Sequence, residues 1–173
     1  MASRAAAGSP WRPERLRLPA RPTMNATRIQ MLQQMALFGA IRTDVLEFLL
    51  GLSRSVRLAG GEFFCRQGDR GDVMFVLESG AAEVLRDVAG RGPQRLRLLA
   101  AGDCFGEMAL MDLAPRSASV RALEDCVAIE ISTAHLMRVY ELDIEQFVLI
   151  EMNMGRELSR RLREADERLF PGP

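Results

Sequence analysis

The spacing of apolar positions changes character along the chain, and each change predicts a different kind of element. Between residues 25 and 52, Ile29, Leu32, Met35, Ala36 and Phe38 recur at helical spacing; Gly39 interrupts, and Val45, Leu46, Phe48, Leu49 and Leu52 resume it. This predicts two amphipathic helices packed on a core, the second capped by Thr43 or Asp44. Between residues 55 and 131 the apolar runs shorten and glycines punctuate them, from Gly60-Gly61 through Gly68, Gly71, Gly80 and Gly90 to Gly102 and Gly106. Val56–Leu58, Glu62–Cys65, Val73–Leu77, Ala82–Leu85, Leu96–Leu99, Ser119–Leu123 and Val127–Ile131 read as short strands, several of them alternating apolar with polar. After Ser132, an N-cap, a short helix runs to Tyr140. Asp143 opens a longer one, with Gln146 at capping-box spacing. Val148, Met152, Gly155, Leu158, Leu162, Ala165 and Leu169 give that last helix one narrow apolar stripe; Arg156, Glu157, Arg160, Arg163, Glu164 and Glu167 lie on the other side. Such a helix serves as a lid on the strands or as a dimer seam.

The predicted fold class is α+β: a mainly-β, jelly-roll-like β-roll of about eight strands, flanked by N-terminal helices and a long C-terminal helix. Residues 24–142 hold the N-terminal helices and the roll, and 143–173 the lid or dimerisation helix. Residues 1–23 carry Pro10, Pro13, Pro19 and Pro22, five arginines and one acid, Glu14. They read as a disordered Arg/Pro-rich tail, or as residues upstream of a true start at Met24, because the prolines forbid a continuous helix. Trp11, in this tail, reads as solvated.

Composition matters mainly through what is missing. Hydrophobic residues make up 48%, enough for a core, and 23 basic residues balance 23 acidic ones. A neutral chain exerts no general pull on nucleic acid or anionic membrane, so neither is an expected partner. There is no lysine, which removes P-loop and Schiff-base chemistry. His135 is the one histidine, which removes most nucleophile–histidine pairs and His-rich metal cages; no enzyme is expected. Cys65, Cys104 and Cys126 are scattered without a CxxC, which argues against a metal site or a secreted disulfide framework and for a reducing cytoplasm. No run approaches the ~18 apolar residues of a membrane span. His135 reads as a surface or capping residue, Cys65 and Cys104 as small buried hydrophobes, Met152 and Met154 as packing.

Chemistry concentrates between Phe105 and Val120. Gly106 precedes a run of helix formers, Glu107 to Leu110, and the first-turn N–H groups of a helix lack partners within it, an arrangement that suits an anion. Arg116 follows nine residues after Glu107 and presents a planar fork of donors; Ser117 adds a hydroxyl. Glu107, if buried, needs hydroxyl donors. A ribose joined to a phosphate asks for this set; the bland alternative is a Glu107–Arg116 pair across a loop.

F-G-E-M-A-L at residues 105–110 followed by P-R-S-A-S-V at 115–120 closely resembles the phosphate-binding cassette of cyclic-nucleotide-binding domains. That family includes the regulatory subunits of cAMP-dependent protein kinase, cyclic-nucleotide-gated channels and the bacterial catabolite activator protein. G-E-x-F at Gly61, Glu62 and Phe64, G-D-x-G-D at Gly68, Asp69, Gly71 and Asp72, and A-G-D-C-F-G-E from Ala101 extend the resemblance, which covers about residues 27–169. It implies that Glu107 accepts from the ribose 2′-OH, that Arg116 pairs with the phosphate, and that backbone N–H groups at Gly106, Met108, Ala109 and Ala118 complete the site. Ser117 is compatible with cAMP and leaves cGMP open. Ala165 and Asp166 fall at the family's base-contacting positions; Asp166 either accepts from an adenine amino group or stands exposed on the helix.

The expected function is thus a cyclic-nucleotide regulatory module, favouring cAMP, with no cofactor beyond that ligand. Its C-terminal helix would pass a shape change to an unknown effector protein or across a homodimer. The activators continue into a helix-turn-helix, whereas only residues 167–173 follow Asp166 here, so no DNA binding in cis is expected. The alternative is a nucleotide-independent interaction and dimerisation module on the same fold, against which the intact Glu107 and Arg116 weigh.

Overall fold

The computed structural model describes residues 24–170, and the tail read over 1–23, with Trp11, lies outside the described residues. Helix α1 (Met24–Gln34), a 3-10 turn (Ala36–Phe38) and α2 (Thr43–Leu52) lead into β1 (Arg54–Leu58), β2 (Phe63–Cys65), β3 (Val73–Ser79), β4 (Ala82–Val88), β5 (Gly92–Leu99) and β6 (Cys104–Phe105). Helix α3 (Glu107–Asp112) precedes β7 (Ser119–Ala122) and β8 (Cys126–Ser132), and α4 (Thr133–Leu142) and α5 (Ile144–Leu169) close the chain. Every predicted strand is present. The additional β6 spans two residues, too few to show an alternation in sequence.

The strands form two four-stranded sheets, ordered β1-β8-β3-β6 and β2-β7-β4-β5, with every pairing antiparallel. Side chains alternate across a strand, so β3 and β8 serve two cores at once. Met74, Val76, Ile129 and Ile131 meet the helices, packing with Leu32, Phe38, Leu46 and Leu49. Phe75, Leu77, Cys126 and Ala128 point between the sheets. Burial on both faces is why Val73–Leu77 reads as an unbroken apolar run rather than an alternating one. Among the described residues, no helix is long and apolar enough to cross a membrane.

The helix starts differ in part from the predicted ones. The N-cap of α2 is Arg42, in extended conformation. Thr43 already lies inside the helix, and Asp44 holds the Arg42 guanidinium through two 3.0 Å hydrogen bonds. Ser132 and His135 form a full capping box at α4, so His135 is a cap. Asp143 caps α5 by accepting from the Gln146 N–H at 3.1 Å, yet the reciprocal half of the box is missing. Gln146 Oε1 instead accepts from the Arg42 N–H at 2.8 Å, and Arg42 Nη1 donates to Asp143 at 2.7 Å. The start of α5 is thereby tied to the start of α2.

The face of α5 that meets the body of the protein differs from the predicted stripe. Ile150, Asn153, Met154 and Glu157 are the buried residues, whereas Val148, Met152 and Leu162 of the stripe are 46%, 49% and 64% exposed. Polar residues take the inward face because partners await them there. Asn153 Nδ2 donates to the carbonyls of Leu37 and Gly39, each at 3.1 Å, satisfying the end of the 3-10 turn.

Candidate functional site

The site grows from the backbone around β6 and α3. Gly106 caps α3 with φ 84°, a left-handed conformation that glycine adopts without strain. A methyl group there would lie 2.6 Å from Arg116 Nη1 and 3.2 Å from the Val73 carbonyl. After α3, the Arg116 N–H donates to the Asp69 carbonyl at 2.8 Å and the Arg116 carbonyl accepts from the Gly68 N–H at 2.9 Å. The Gly68-Asp69 turn therefore fixes Arg116 from outside its own segment. Gly71 lets α3 approach, since a Cβ there would lie 2.2 Å from the Ala109 Cβ.

These constraints bury both candidate side chains without pairing them. Arg116 is 6% exposed and Glu107 2%. Arg116 Nη1 donates to the Gly106 carbonyl at 3.0 Å and Nη2 to the Val73 carbonyl at 2.6 Å. Glu107 Oε1 accepts from Arg161 of α5, so the expected alternative of a Glu107–Arg116 pair is not formed. Among the described residues, the buried side-chain polar atoms without a partner are Glu107 Oε2 and Arg116 Nε. Both residues line one cavity of about 420 Å³, within the ~300–1,000 Å³ of small-molecule pockets. Each of the two keeps one buried polar atom without a partner, which is costly in a folded protein.

Gly106, Glu107, Met108, Ala109, Arg116, Ser117 and Ala118 all line this cavity, as does Ala165. Asp166 does not; it is exposed. Neighbouring positions on a helix point about 100° apart, so Ala165 and Asp166 cannot both face the cavity squarely. In this structure Asp166 stands as its alternative reading has it, an exposed helix residue.

Sequence reasoning missed Arg161. Its guanidinium reaches Glu107 through Nη1, the Cys104 carbonyl through Nη2 at 3.1 Å, and Glu157 through Nε at 2.9 Å. Burial works against the Arg161 charge, but Glu107 and Glu157 outweigh it and hold the group above the ordinary arginine value. The Arg160 hydrogen bond holds Glu157 below the usual carboxylate range against the effect of burial, with Arg161 adding to it. Burial, reinforced by the Glu107 charge, pushes the Cys104 thiol up to about 11, so it stays protonated and inert at neutral pH. The available signal was Glu157 and Arg161 at i,i+4 spacing beside a run of arginines, which marks a pair without saying which way it points.

The family model described as "Cyclic nucleotide-binding domain" matches residues 55–143. The "Cyclic AMP receptor protein" of Thermus thermophilus is 31% identical over 130 residues, 75% of this chain and 58% of the relative. A cAMP-dependent protein kinase regulatory subunit of Yarrowia lipolytica is 37% identical over 94 residues, 53% of this chain and 23% of the relative. The chain thus spans less than two thirds of either. The crystal structure of the Thermus thermophilus catabolite activator protein superposes with a TM-score of 0.69 at 30% identity, covering 78% of this chain and 61% of that one. A cyclic nucleotide-binding domain from Methylobacillus flagellatus shares the fold with a TM-score of 0.76 at 21% identity, covering 84% of both chains. With the family model spanning more than half of its length and the site residues from Gly106 to Ala118 inside that span, this chain belongs to the cyclic nucleotide-binding domain family.

Proposed function

We propose that the chain binds a cyclic 3′,5′-purine nucleotide, cAMP foremost, and signals its presence through α5. The observation that carries this reading is that Glu107 and Arg116, each with a buried polar atom left unpartnered, line one cavity. A ribose 2′-OH supplies the donor Glu107 lacks, and a cyclic phosphate supplies the acceptor Arg116 lacks. One arginine balances the single charge of a phosphodiester, with the Ser117 hydroxyl and the backbone N–H groups from Gly106 to Ala109 and at Ala118 adding neutral donors. The relatives named for cAMP favour adenine as the base.

Arg161 connects the ligand to α5. It belongs to that helix and holds Glu107, so a hydroxyl arriving at Glu107 changes the contact that anchors the helix. The exposed stripe of Val148, Met152 and Leu162 on the outer face suits the receiving surface, an effector protein or a second copy of the chain. That stripe is also what favours the rival reading, a module that associates without any nucleotide. We place the protein in the cytoplasm, where its three free cysteines stay reduced.

A thermal-shift titration separates the two readings. At a ligand concentration of ~100 Kd, cAMP is expected to stabilise the fold by about 2.7 kcal/mol, a rise of about 5–10 °C for a domain of this size. No shift at millimolar nucleotide favours the pure interaction module. Gly106→Ala provides a second check. Its methyl would press on the flexible end of Arg116 rather than on core atoms alone, so the variant is expected to fold with a stability loss of ~1–2 kcal/mol from αL strain, and to lose affinity by about tenfold or more through the displaced arginine. Calorimetric titration reads the affinity and circular dichroism the fold; undiminished affinity counts against Arg116 as the phosphate ligand.

A further inference from the structure

The outer face of α5 combines apolar surface with unanswered negative charge. At about 100° per residue, Ile144, Val148 and Met152 fall on one side of the helix, opposite the buried Ile150, Asn153, Met154 and Glu157. All three stand about half exposed. Tyr140 of α4, exposed to a similar degree, lies edge-on to Phe147 and widens the apolar surface. Glu145 and Glu151 border it, and α5 carries no basic residue between Ile144 and Gly155. Glu151 is half-buried, and among the described residues no cation answers it; burial pushes its carboxyl above the usual carboxylate range. Past Met152 the face opens into a hollow lined by Gly155, Arg156, Ser159 and Arg163. A side chain at Gly155 would meet nothing within 4 Å, so the hollow has room.

The chain itself holds a segment of complementary chemistry. Residues 1–23 contain five of the 23 basic residues and one of the 23 acidic ones, a formal charge of +4. Residues 24–173, with 18 basic and 22 acidic residues, carry −4. In that first segment Trp11, Leu16 and Leu18 are interleaved with Arg12, Arg15 and Arg17. Its apolar side chains suit the stripe, and its guanidinium groups suit the carboxylates. An indole suits a hollow flanked by arginines, because a guanidinium is attracted to the face of the ring. At ~3.3–3.6 Å per residue the segment reaches roughly 75–80 Å, more than the width of a domain of this size. We propose that residues 1–23 dock on the outer face of α5, with Trp11 toward the Gly155 hollow and the arginines on Glu145 and Glu151. Docked there, they cover the stripe that an effector or a second copy would otherwise meet.

Trp11 is the one tryptophan, so the intrinsic fluorescence of the full chain reports on this segment directly. In wild type, emission to the blue of N-acetyltryptophanamide and a severalfold smaller acrylamide quenching constant are expected. Val148→Arg/Met152→Arg places two cations on the exposed stripe and is expected to return both values to those of the free amide. Glu145→Arg/Glu151→Arg, which reverses the charge of the border, is expected to do the same. Circular dichroism shows that the helices persist in each. A wild-type Trp11 quenched as readily as the free amide overturns the proposal. So does shielding that either pair of substitutions leaves unchanged in a folded protein. Shielding that is lost on dilution belongs to contact between copies and overturns it as well. No nucleotide enters these measurements, so their failure leaves the cyclic-nucleotide reading standing.

Discussion

Arg116→Leu is expected to lower cyclic-nucleotide affinity by about 2–5 kcal/mol, which is roughly thirtyfold to several thousandfold. The argument rests on how the guanidinium is held. Two of its nitrogens are anchored on carbonyls, Gly106 and Val73, while Nε is buried without a partner. The anchors fix the plane of the fork, and the remaining N–H groups are what a phosphate would meet. Leucine removes the positive charge and every donor together, leaving an incoming anion buried without a counter-charge. Arg116→Lys separates charge from geometry. It keeps the cation but loses the planar fork that spans two carbonyls and a ligand, and it is expected to recover only a small part of the affinity. Because leucine also strips two backbone carbonyls of a donor, a stability loss of ~1–3 kcal/mol is expected alongside. Calorimetry for binding and urea denaturation for stability keep the effects apart. Wild-type affinity in a folded Arg116→Leu protein would remove Arg116 from the site.

The parts of this site that the sequence reveals are those built from neighbouring residues. Gly106, Glu107 and Arg116 sit within one short segment, and their chemistry follows from helix starts and glycine conformations that act locally. The β-roll is legible for the same reason, since turn glycines and short alternating runs are local signals. What failed to show are the contributions decided by tertiary contact. Arg161 meets Glu107 across 54 residues of chain. On a helix carrying Arg156, Arg160, Arg161 and Arg163, only the packing of α5 selects which arginine turns inward. The apolar stripe of that helix also does not mark the face that packs on the body, because Asn153 and Glu157 are buried by virtue of specific partners rather than by apolarity.

Arg161→Met is expected to destabilise the ligand-free protein by about 3–5 kcal/mol, because it leaves a buried carboxylate with no partner at all. Glu107 is 2% exposed. Its Oε2 already lacks a partner, and the Arg161 bond to Oε1 is what makes the burial tolerable. Methionine fills most of the volume, so packing loss contributes little and the electrostatic loss dominates. The expected fall in Tm is about 6–20 °C, at ~2–4 °C per kcal/mol for a domain of this size. The double variant Glu107→Gln/Arg161→Met removes the stranded charge and is expected to regain most of the loss. That recovery is the signature of a charge pair; a purely steric role for Arg161 would leave the double variant as weak as the single one. Ligand should act in the same direction. A ribose hydroxyl donating to Glu107 replaces part of what Arg161 supplied, so one fixed concentration of cAMP should raise the Tm of Arg161→Met more than that of wild type. If the two proteins gain equally, the ribose does not reach Glu107, and the link from ligand through Arg161 to α5 has to be abandoned.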